Sequence, residues 1–320
     1  MSLTYSVGDL TIHRIIEQEA PFFPALEFIP GLTAEVMAEN RAWMRQAKAL
    51  DEQDVLLLCF QSYVVKTPHH TILIDSCIGN DKSRPQRPKW HMKTDDTYMR
   101  GLKAAGVSVD DIDFVMCTHL HVDHVGWNTR LENGRWVPTF PKARYVFAKQ
   151  EFDYWSEQNA KAEVPPFADS VLPVVEAGRH EFVGNDHQIG DHVRILPTPG
   201  HTPGHSAFTL GRDKDDAVFS GDLMHSPLQA LYPELSMKFD VDQATAAKTR
   251  RSFLERYCDT ETLCCTAHFP SPSVGRIRRK GSGFVRGGVI WRGSRRELPS
   301  SLGGGGSVRM QRSEMRIEVG

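Results

Sequence analysis

The stretch THLHVDHVGW, residues 118–127, decides the fold and the chemistry of this 320-residue chain. It places His119, His121, Asp123 and His124 within six residues. At this chain's own frequencies of histidine and aspartate, the pattern His-x-His-x-Asp-His arises by chance with a probability of roughly two in a thousand. Alternate residues of an extended turn point the same way, so His119 and His121 can bind one cation while Asp123 and His124 bind a second. The stretch therefore predicts a metal site rather than a solvated polar loop.

Four short apolar runs are each followed closely by a residue of a metal-binding type. The runs occupy 113–118, 192–197, 217–220 and 263–267, and they have the length and composition of buried strands. Loops at the ends of such strands build the active sites of α/β proteins, so we expect the side chains that follow the runs to meet. Those side chains are His119, His201, Asp222 and His268.

The rest of the chain up to residue 284 has the patterns of further strands and helices. Residues 8–17 and two runs within 54–79 predict strands, and 33–50 and 97–105 predict helices, the first of them with Thr33 as N-cap. Residues 20–31, APFFPALEFIPG, predict an aromatic loop interrupted by proline. Its Phe22, Phe23 and Phe28 fit a substrate pocket, a subunit interface or ordinary core, and Trp127 is a further pocket candidate.

Taken together, these motifs resemble the metallo-β-lactamase superfamily. The parts stand in order as THLHVDH (118–124), PTPGHTPGHS (197–206), SGDLMH (220–225) and TAHFP (266–270), and the resemblance covers approximately residues 5–280. It implies an α/β fold, the αββα sandwich, in which two mixed β-sheets are flanked by helices and the metals lie at one edge of the sheets. We expect a catalytic domain at 1–284 and a flexible, basic tail rich in Gly and Arg at 285–320.

The resemblance also implies two metal ions and the residues that hold them. It assigns one ion to His119, His121 and His201, and the other to Asp123, His124 and His268. Asp222 would bridge the two ions, and Asp75 would lie beneath the metal loops. Spacing alone does not separate His201 from His205; the family motif favours His201 and leaves His205 a supporting role. Imidazole and carboxylate ligands suit zinc, iron, cobalt or manganese, and zinc is favoured by prevalence.

The implied chemistry is hydrolysis by a hydroxide that bridges two divalent ions. LIDSCIGN, HVDHVGWN and GDLMHSPLQ are most similar to the subgroup of quorum-quenching acyl-homoserine lactonases and methyl parathion hydrolases. We expect hydrolysis of a lactone or carboxylic ester, with a phosphotriesterase or arylesterase, and then an iron-dependent oxidoreductase of the same fold, as alternatives. Asp123 is expected to orient the nucleophile and carry its proton. His225 replaces the tyrosine common in related lactonases and either donates to the substrate or packs in its loop.

Charge and composition limit the partners. The net charge is −2, but 276–320 holds eleven basic and three acidic residues, which leaves 27 basic and 37 acidic in the rest of the chain. The negative net charge of residues 1–275 disfavours a nucleic-acid partner. The absence of an apolar run of about 20 residues or of a leader pattern predicts a cytoplasmic protein with no membrane partner. We expect a small neutral ester-like substrate and leave open whether the chain acts as a monomer or a homodimer.

The remaining candidate residues are predicted to have structural roles. The six cysteines show no CxxC spacing and are expected to be buried free thiols. His69 and His70 follow a proline in a predicted turn, and the basic run at 276–280 is expected to be solvated. Surface or packing roles are expected for His13, His91, His180, His187 and His192.

Overall fold

The computed structural model describes residues 4–287, which form strands and helices throughout their length. The strands are β1 (Thr4–Val7), β2 (Leu10–Pro24), β3 (Val55–Lys66), β4 (Thr71–Ile74), β5 (Phe114–Met116), β6 (Thr129–Glu132), β7 (Arg135–Pro138), β8 (Arg144–Ala148), β9 (His180–Val183), β10 (Gln188–Ile189), β11 (Val193–Pro197), β12 (Ser206–Leu210), β13 (Ala217–Phe219), β14 (Leu263–Cys265), β15 (Val274–Lys280) and β16 (Gly283–Gly287). The helices are α1 (Ala25–Phe28), α2 (Ala34–Gln46), α3 (Thr97–Ala104), α4 (Lys149–Lys161), α5 (Pro165–Ser170), α6 (Leu172–Glu176), α7 (Pro227–Leu231) and α8 (Gln243–Tyr257).

Two mixed sheets of seven strands each form the centre of the fold. The first has the order β1-β2-β3-β4-β5-β8-β9, with parallel pairing from β4 through β9 and antiparallel pairing elsewhere. The second has the order β10-β11-β12-β13-β14-β15-β16, in which only β13 and β14 run parallel. Strands β6 and β7 form a separate hairpin. The predicted αββα sandwich of two mixed sheets flanked by helices is confirmed.

Side chains along the strands alternate between two apolar cores. In β3, Tyr63 and Val65 belong to the core between the sheets, whereas Val64 packs on the outer side. In β8, Val146 lies between the sheets and Tyr145 contributes to the outer core. A strand covered on both faces is apolar at most positions, which explains the apolar runs 55–60 and 63–65 of β3 and 145–148 of β8.

Helices complete the two outer layers. Tyr98 and Leu102 of α3 and Phe167 of α5 pack on the outer face of the first sheet. Phe253 and Leu254 of α8 belong to the core on the outer face of the second sheet. Thr33 caps α2 as predicted by accepting a hydrogen bond from the Val36 N–H. None of the helices in the described part of the chain is both long and apolar enough to cross a membrane.

The prediction of an aromatic loop at residues 20–31 is wrong. Strand β2 continues to Pro24 and α1 follows it directly. Register shifts against β3, between Ile16 and Gln18 and between Pro21 and Phe23, bend the strand. Beyond His13 the described residues pair with β2 on one side only, and an unpaired strand edge tolerates proline.

The last described strand extends past the boundary predicted at residue 284. Residues 285–287, assigned above to the tail, pair with β15 as part of β16, because the buried Phe284 anchors this strand against the outer core. The remainder of the predicted tail, 288–320, lies outside the described residues, as do residues 1–3. All six cysteines are free thiols, five of them buried and Cys258 half-buried.

His192 joins the turns at the ends of the two sheets. Its Nε2 lies 2.9 Å from Oδ2 of Asp9 in the β1–β2 turn, and its Nδ1 lies 2.5 Å from Oδ1 of Asp191 in the β10–β11 turn. The hydrogen bond to Asp9, together with that to Asp191, raises the pKa of His192 above its ordinary value. The exposed ring of His69 is a neighbour, with the ring centroids 5.7 Å apart. His192 is therefore an electrostatic link between the sheets.

We expect His192→Gln to destabilise the fold more at about pH 6 than at about pH 9. A histidine with a raised pKa in the folded chain contributes its full stabilisation below the unfolded value of about 6.5 and loses it as the pH rises through the folded value. Urea denaturation across this pH range measures the difference from the parent chain. A difference that stays constant or grows with pH would contradict the link, and His69→Gln is the control expected to show no such trend.

Candidate metal centre

Loops at one edge of the two sheets bring the predicted ligands together. The loop after β5 carries residues 119–124, and the loops after β11, β13 and β14 carry His201, Asp222 and His268. One group of ligand atoms lying within 4.8 Å of one another comes from His119, His121, His201 and Asp222. A second such group comes from Asp123, His124 and His268.

The first cluster, defined as His119, His121 and His201, directs three nitrogens at one point. Nδ1 of His121 lies 3.0 Å from Nε2 of His119 and 2.9 Å from Nε2 of His201. Oδ2 of Asp222 completes the group, 3.3 Å from Nε2 of His201 and 3.5 Å from Nε2 of His119. This arrangement offers three nitrogens and one oxygen to a single cation.

The second cluster, defined as Asp123, His124 and His268, uses the other oxygen of the same carboxylate. Oδ1 of Asp222 lies 3.0 Å from Nε2 of His124 and 2.9 Å from Nε2 of His268. These two nitrogens are 3.3 Å apart, and Oδ2 of Asp123 lies 3.6 Å from Nε2 of His268. Asp222 therefore presents one oxygen to each cluster, as a bridging ligand does.

In each cluster, a histidine nitrogen that points away from the cluster forms a hydrogen bond, and this bond tests whether the cluster fits a metal ion. Nδ1 of His201 donates to Oδ1 of Asp240 at 2.8 Å, and Nδ1 of His268 donates to the carbonyl of Cys59 at 2.9 Å. A neutral imidazole that carries its proton on Nδ1 has a lone pair on Nε2. Lone pairs that face other ligand atoms at about 3 Å repel unless a cation lies between them. The donor set therefore fits a dinuclear divalent metal site.

Burial and charge act in opposite directions on the histidine pKa values. Burial lowers the pKa of His119 and His121 well below the ordinary value. Burial also disfavours protonation of His201, but hydrogen bonds to Asp222 and Asp240 outweigh it and raise its pKa to about 9. Because a histidine must be unprotonated to bind a metal, protons compete with the ion at this residue.

Asp75 supports both clusters from beneath. Its Oδ1 accepts the Thr118 N–H at 2.7 Å, and its Oδ2 accepts the Thr118 hydroxyl at 3.0 Å and Nδ1 of His124 at 2.9 Å. The same hydroxyl oxygen lies 3.1 Å from Nδ1 of His119. One carboxylate thus orients a histidine in each cluster, and its position is the one that the family resemblance implies.

Asp240 is a supporting residue that the sequence analysis did not single out. Besides His201, it accepts the Met237 N–H at 3.0 Å and approaches the buried Arg250 guanidinium at 3.4 Å. It precedes α8 as one aspartate in an irregular segment, and no motif marks it. Its role follows only from the tertiary structure.

Glu151, in the first turn of α4, is a second carboxylate that the sequence analysis missed. Its Oε1 accepts the Leu120 N–H at 3.1 Å and the Trp155 indole N–H at 2.7 Å. Its Oε2 accepts the Thr202 hydroxyl at 2.7 Å and the Gly204 N–H at 3.0 Å. A Cβ at position 204 would lie 2.2 Å from the Glu151 nitrogen, so this close approach requires glycine. Glu151 therefore joins the two loops that supply the first cluster.

His205 and His225 contact Asp222 from different sides. Nε2 of His205 accepts the Asp222 N–H at 3.0 Å, and its Nδ1 donates to the Thr198 carbonyl at 3.1 Å, which gives it the supporting position. Nε2 of His225 lies 3.0 Å from Oδ2 of Asp222, and burial lowers its pKa to about 4. Nδ1 of His225 is buried and has no hydrogen-bond partner among the described residues. The structure brings His225 to the site, and its action on a substrate stays a prediction.

The histidines that were predicted to be structural lie outside the two clusters. His69 and His70 occupy the turn between β3 and β4, as the sequence predicts. His69 and His192 lie near Asp191, in a separate group at the far end of β11. The histidines absent from all of the ligand groups formed by described residues are His13, His70, His91, His180, His187 and His205.

A cavity of about 250 Å³ opens onto the two clusters. Five of the predicted ligands face it, as does His225. The ligands are His121, Asp123, His201, Asp222 and His268. Apolar side chains form the walls; they are Phe22, Phe28, Leu58, Phe60, Val122, Trp90, Trp155, Met237, Phe239 and Val241. The cavity suits a ligand with a polar end at the clusters and an apolar remainder.

The aromatic residues that the sequence marked as pocket candidates divide between two roles. Phe22 and Phe28 line the cavity, and Phe23 stacks behind Phe28 with 5.4 Å between ring centroids. Trp127 does not line it: the indole is buried, stacks on Tyr98 at 5.2 Å and takes no part in the walls. Trp90, Phe60 and Phe239 were missed, because residues from distant segments form the walls and share no sequence pattern.

The sequence of this chain matches the metallo-beta-lactamase superfamily over residues 61–268, and the chain belongs to that superfamily. It is 25% identical over 182 residues to an N-acyl homoserine lactonase of Bacillus thuringiensis, covering 53% of this chain and 65% of the relative. It is 27% identical over 127 residues to an N-acyl homoserine lactonase of a Bacillus species, covering 40% and 44%. It thus spans less than two thirds of these relatives' lengths.

Solved structures share the fold. One is the hydrolase AbOPH of the beta-lactamase superfamily, with a TM-score of 0.73 and 22% identity over 88% of this chain and 95% of that one. Another is AidC, described as a dizinc quorum-quenching lactonase in complex with a product, with a TM-score of 0.73, 21% identity and the same coverage. At these identities the similarity establishes the architecture alone.

We expect Glu151→Gln to lower the free energy of unfolding by about 1–3 kcal/mol, because an amide nitrogen replaces an acceptor that faces buried donors. Metal affinity of the first cluster should fall as well, since its two loops lose their link. Urea denaturation and a competitive zinc titration measure the two effects. Glu157→Gln, on the exposed side of the same helix, is the control; equal losses in both variants would refute the role of Glu151.

We expect the metal-loaded chain to hold close to two divalent ions, His268→Ala close to one and Asp222→Ala none tightly. The clusters share Asp222 but have no histidine in common, so the second can lose its ion alone. Elemental analysis after dialysis gives the stoichiometry, and circular dichroism verifies folding. His70→Ala, outside all of the ligand groups, should keep both ions. Two ions retained by a folded Asp222→Ala chain would contradict the bridging role.

Proposed function

We propose that this chain is a dinuclear metal-dependent hydrolase that opens a lactone or cleaves a carboxylic ester, with N-acyl homoserine lactones as the first candidates. The observation that carries the proposal is the carboxylate of Asp222, which presents one oxygen to each histidine cluster at the base of an apolar cavity. Two divalent ions held there would supply hydroxide near neutral pH and polarise an ester carbonyl. Curated relatives named as N-acyl homoserine lactonases support the choice of substrate.

Asp123 is the residue that we propose to move a proton. Its carboxylate belongs to the second cluster and also lines the cavity. A carboxylate in that position can accept the proton of the nucleophile and return it to the leaving oxygen. Such a shuttle needs one group that faces both the base of the cavity and the substrate, and Asp123 meets this requirement.

His225 is proposed to position Asp222. At a pKa of about 4 its ring is neutral at physiological pH, and the Nε2–H donates to Oδ2 of Asp222. The ring stacks on His268 with the centroids 4.9 Å apart and 13° between the planes. In this role His225 acts through Asp222, and direct donation of its proton to a substrate oxygen is the alternative role.

The apolar walls are proposed to bind the acyl part of the substrate. Phe22, Phe60 and Trp90 contact one another, with ring centroids 5.0 to 5.4 Å apart. Transfer of an alkyl chain from water to such walls stabilises the complex by about 0.8 kcal/mol for each methylene group.

Zinc is the proposed metal, because imidazole nitrogens and carboxylate oxygens are ligands that it binds well.

We expect the zinc-loaded chain to open N-acyl homoserine lactones faster than it cleaves aryl esters or phosphotriesters of similar size. A pH indicator follows the acid released by ring opening. Asp123→Asn should lower the rate by about 10²-fold or more, because the proton shuttle is lost. The matched control is Asp186→Asn, an exposed aspartate in the β9–β10 turn.

Other outcomes of this panel identify the alternatives. Faster cleavage of phosphotriesters would identify the activity of this site as that of a phosphotriesterase instead of a lactonase. A single bound iron with oxygen consumption on a persulfide would contradict hydrolysis and support an oxidoreductase. An unchanged rate in Asp123→Asn would show that another group moves the proton.

A further inference from the structure

One basic side chain, Arg87, lines the cavity, and a second, Lys238, lies against the wall residue Phe239; neither has an acidic partner among the described residues. The guanidinium carbon of Arg87, a residue that lines the cavity, lies 5.0 Å from the centroid of Trp90 and 5.9 Å from that of Phe239. Nζ of Lys238 lies 5.2 Å from the centroid of Phe239 and 4.1 Å from that of Phe23. Within residues 4–287 neither cation forms an ion pair or a side-chain hydrogen bond.

Two neighbouring basic residues, unlike Arg87, have acidic partners. Arg84 pairs with Asp169 at 2.7 Å, three positions before Arg87 in the sequence. Lys93 lies 2.6 Å from Oε1 of Glu17. The chain therefore neutralises the buried cations of this segment and leaves the one that faces the cavity without a counter-charge.

Among the residues that the structure describes, none supplies a compensating acid in the cavity either. Asp123 and Asp222 are the acidic residues that line it, and both belong to the metal clusters at its base. Arg87 is half-buried, and a partly desolvated cation without a counter-ion is costly. A negative group on a bound ligand would remove that cost.

The stacked position of Arg87 suits recognition of a planar anion. A guanidinium that lies against an aromatic ring keeps its N–H groups in the plane, where they can donate two parallel hydrogen bonds to a carboxylate. The main chain fixes the residue: the Arg87 N–H donates to the Arg84 carbonyl, and the Arg87 carbonyl accepts from the Trp90 N–H, each at 2.8 Å. A side-chain substitution at 87 therefore leaves this turn in place.

We infer that Arg87 binds an anionic group at the end of the substrate remote from the scissile bond, with Lys238 adding to the attraction. The preferred substrate is then a lactone or ester whose apolar chain ends in a carboxylate, which differs from the neutral substrate expected from the sequence. This inference rests on the proposed hydrolase function for the reacting end of the substrate. The anion site at Arg87 itself is a property of the cavity and can be measured without turnover.

The test measures binding of dicarboxylates and monocarboxylates of equal chain length. Glutarate, adipate, pimelate and suberate, and the matching monocarboxylates, are titrated calorimetrically into the zinc-loaded chain. We expect at least one dicarboxylate to bind about tenfold more tightly than its partner, the ratio that one charge-assisted pair supplies. In Arg87→Gln this preference should disappear while monocarboxylate affinity stays the same, and Arg87→Lys should keep part of it.

Lys89→Gln is the matched control, because Lys89 is an exposed basic residue two positions away that does not line the cavity. It removes the same charge from the same turn and should keep the full dicarboxylate preference. Equal affinities for both acids at every chain length in the parent chain would overturn the inference. Equal loss in Lys89→Gln and Arg87→Gln would also overturn it, since general surface charge would then explain the result.

A second measurement separates this inference from the proposed function. The 4-nitrophenyl ester of hexanoic acid and the 4-nitrophenyl monoester of adipic acid differ in the distal carboxylate alone. We expect a higher kcat/KM for the adipate ester in the parent chain and a loss of this advantage in Arg87→Gln. If no ester or lactone is hydrolysed but the Arg87-dependent dicarboxylate preference persists, the hydrolase proposal fails and the anion site stands.

Discussion

The close approach of imidazole nitrogens to one another and to a single carboxylate is the constraint on which the rest of this structure depends. Nε2 of His124 and Nε2 of His268 face each other at 3.3 Å, and Asp222 completes the group. Such an arrangement needs rings that cannot turn away, and each ring is fixed on its far side: His124 by Asp75, and His268 by the carbonyl of Cys59. The scaffold thus opposes the relaxation of these side chains, and a cation makes the arrangement stable.

The two-sheet architecture is what makes this constraint possible. Asp75 follows β4, and His268 follows β14 in the other sheet. The carbonyl of Cys59 in β3 accepts from the His268 ring, and the Cys59 N–H donates to the His268 carbonyl at 3.0 Å, so the main chains of the two sheets meet at the site. The packing of the apolar core between the sheets therefore determines the distances between the metal ligands.

Local sequence patterns predicted the strands and the candidate ligands, the family resemblance supplied the fold and the ligand assignment, and long-range contacts determine the rest. Residues 118–124 concentrate four candidate ligands, and apolar runs buried on both faces mark the strands that carry the others. Asp240 and Glu151 give no comparable signal, because a single acidic residue in a loop or helix is normally solvated and only the tertiary structure buries these two. Pro21 and Pro24 made 20–31 resemble a loop, yet an unpaired strand edge accommodates both.

Residues within the segment 237–241 have two different roles. Met237, Phe239 and Val241 line the cavity, while Asp240 between them fixes His201. The Val241 N–H also donates to the His201 carbonyl at 3.0 Å. Substrate range and metal retention are therefore coupled in this segment. Directed evolution at positions 239 and 241 would select against variants that shift the main chain around Asp240, so new specificities should arise more readily from the wall formed by β2 and α1.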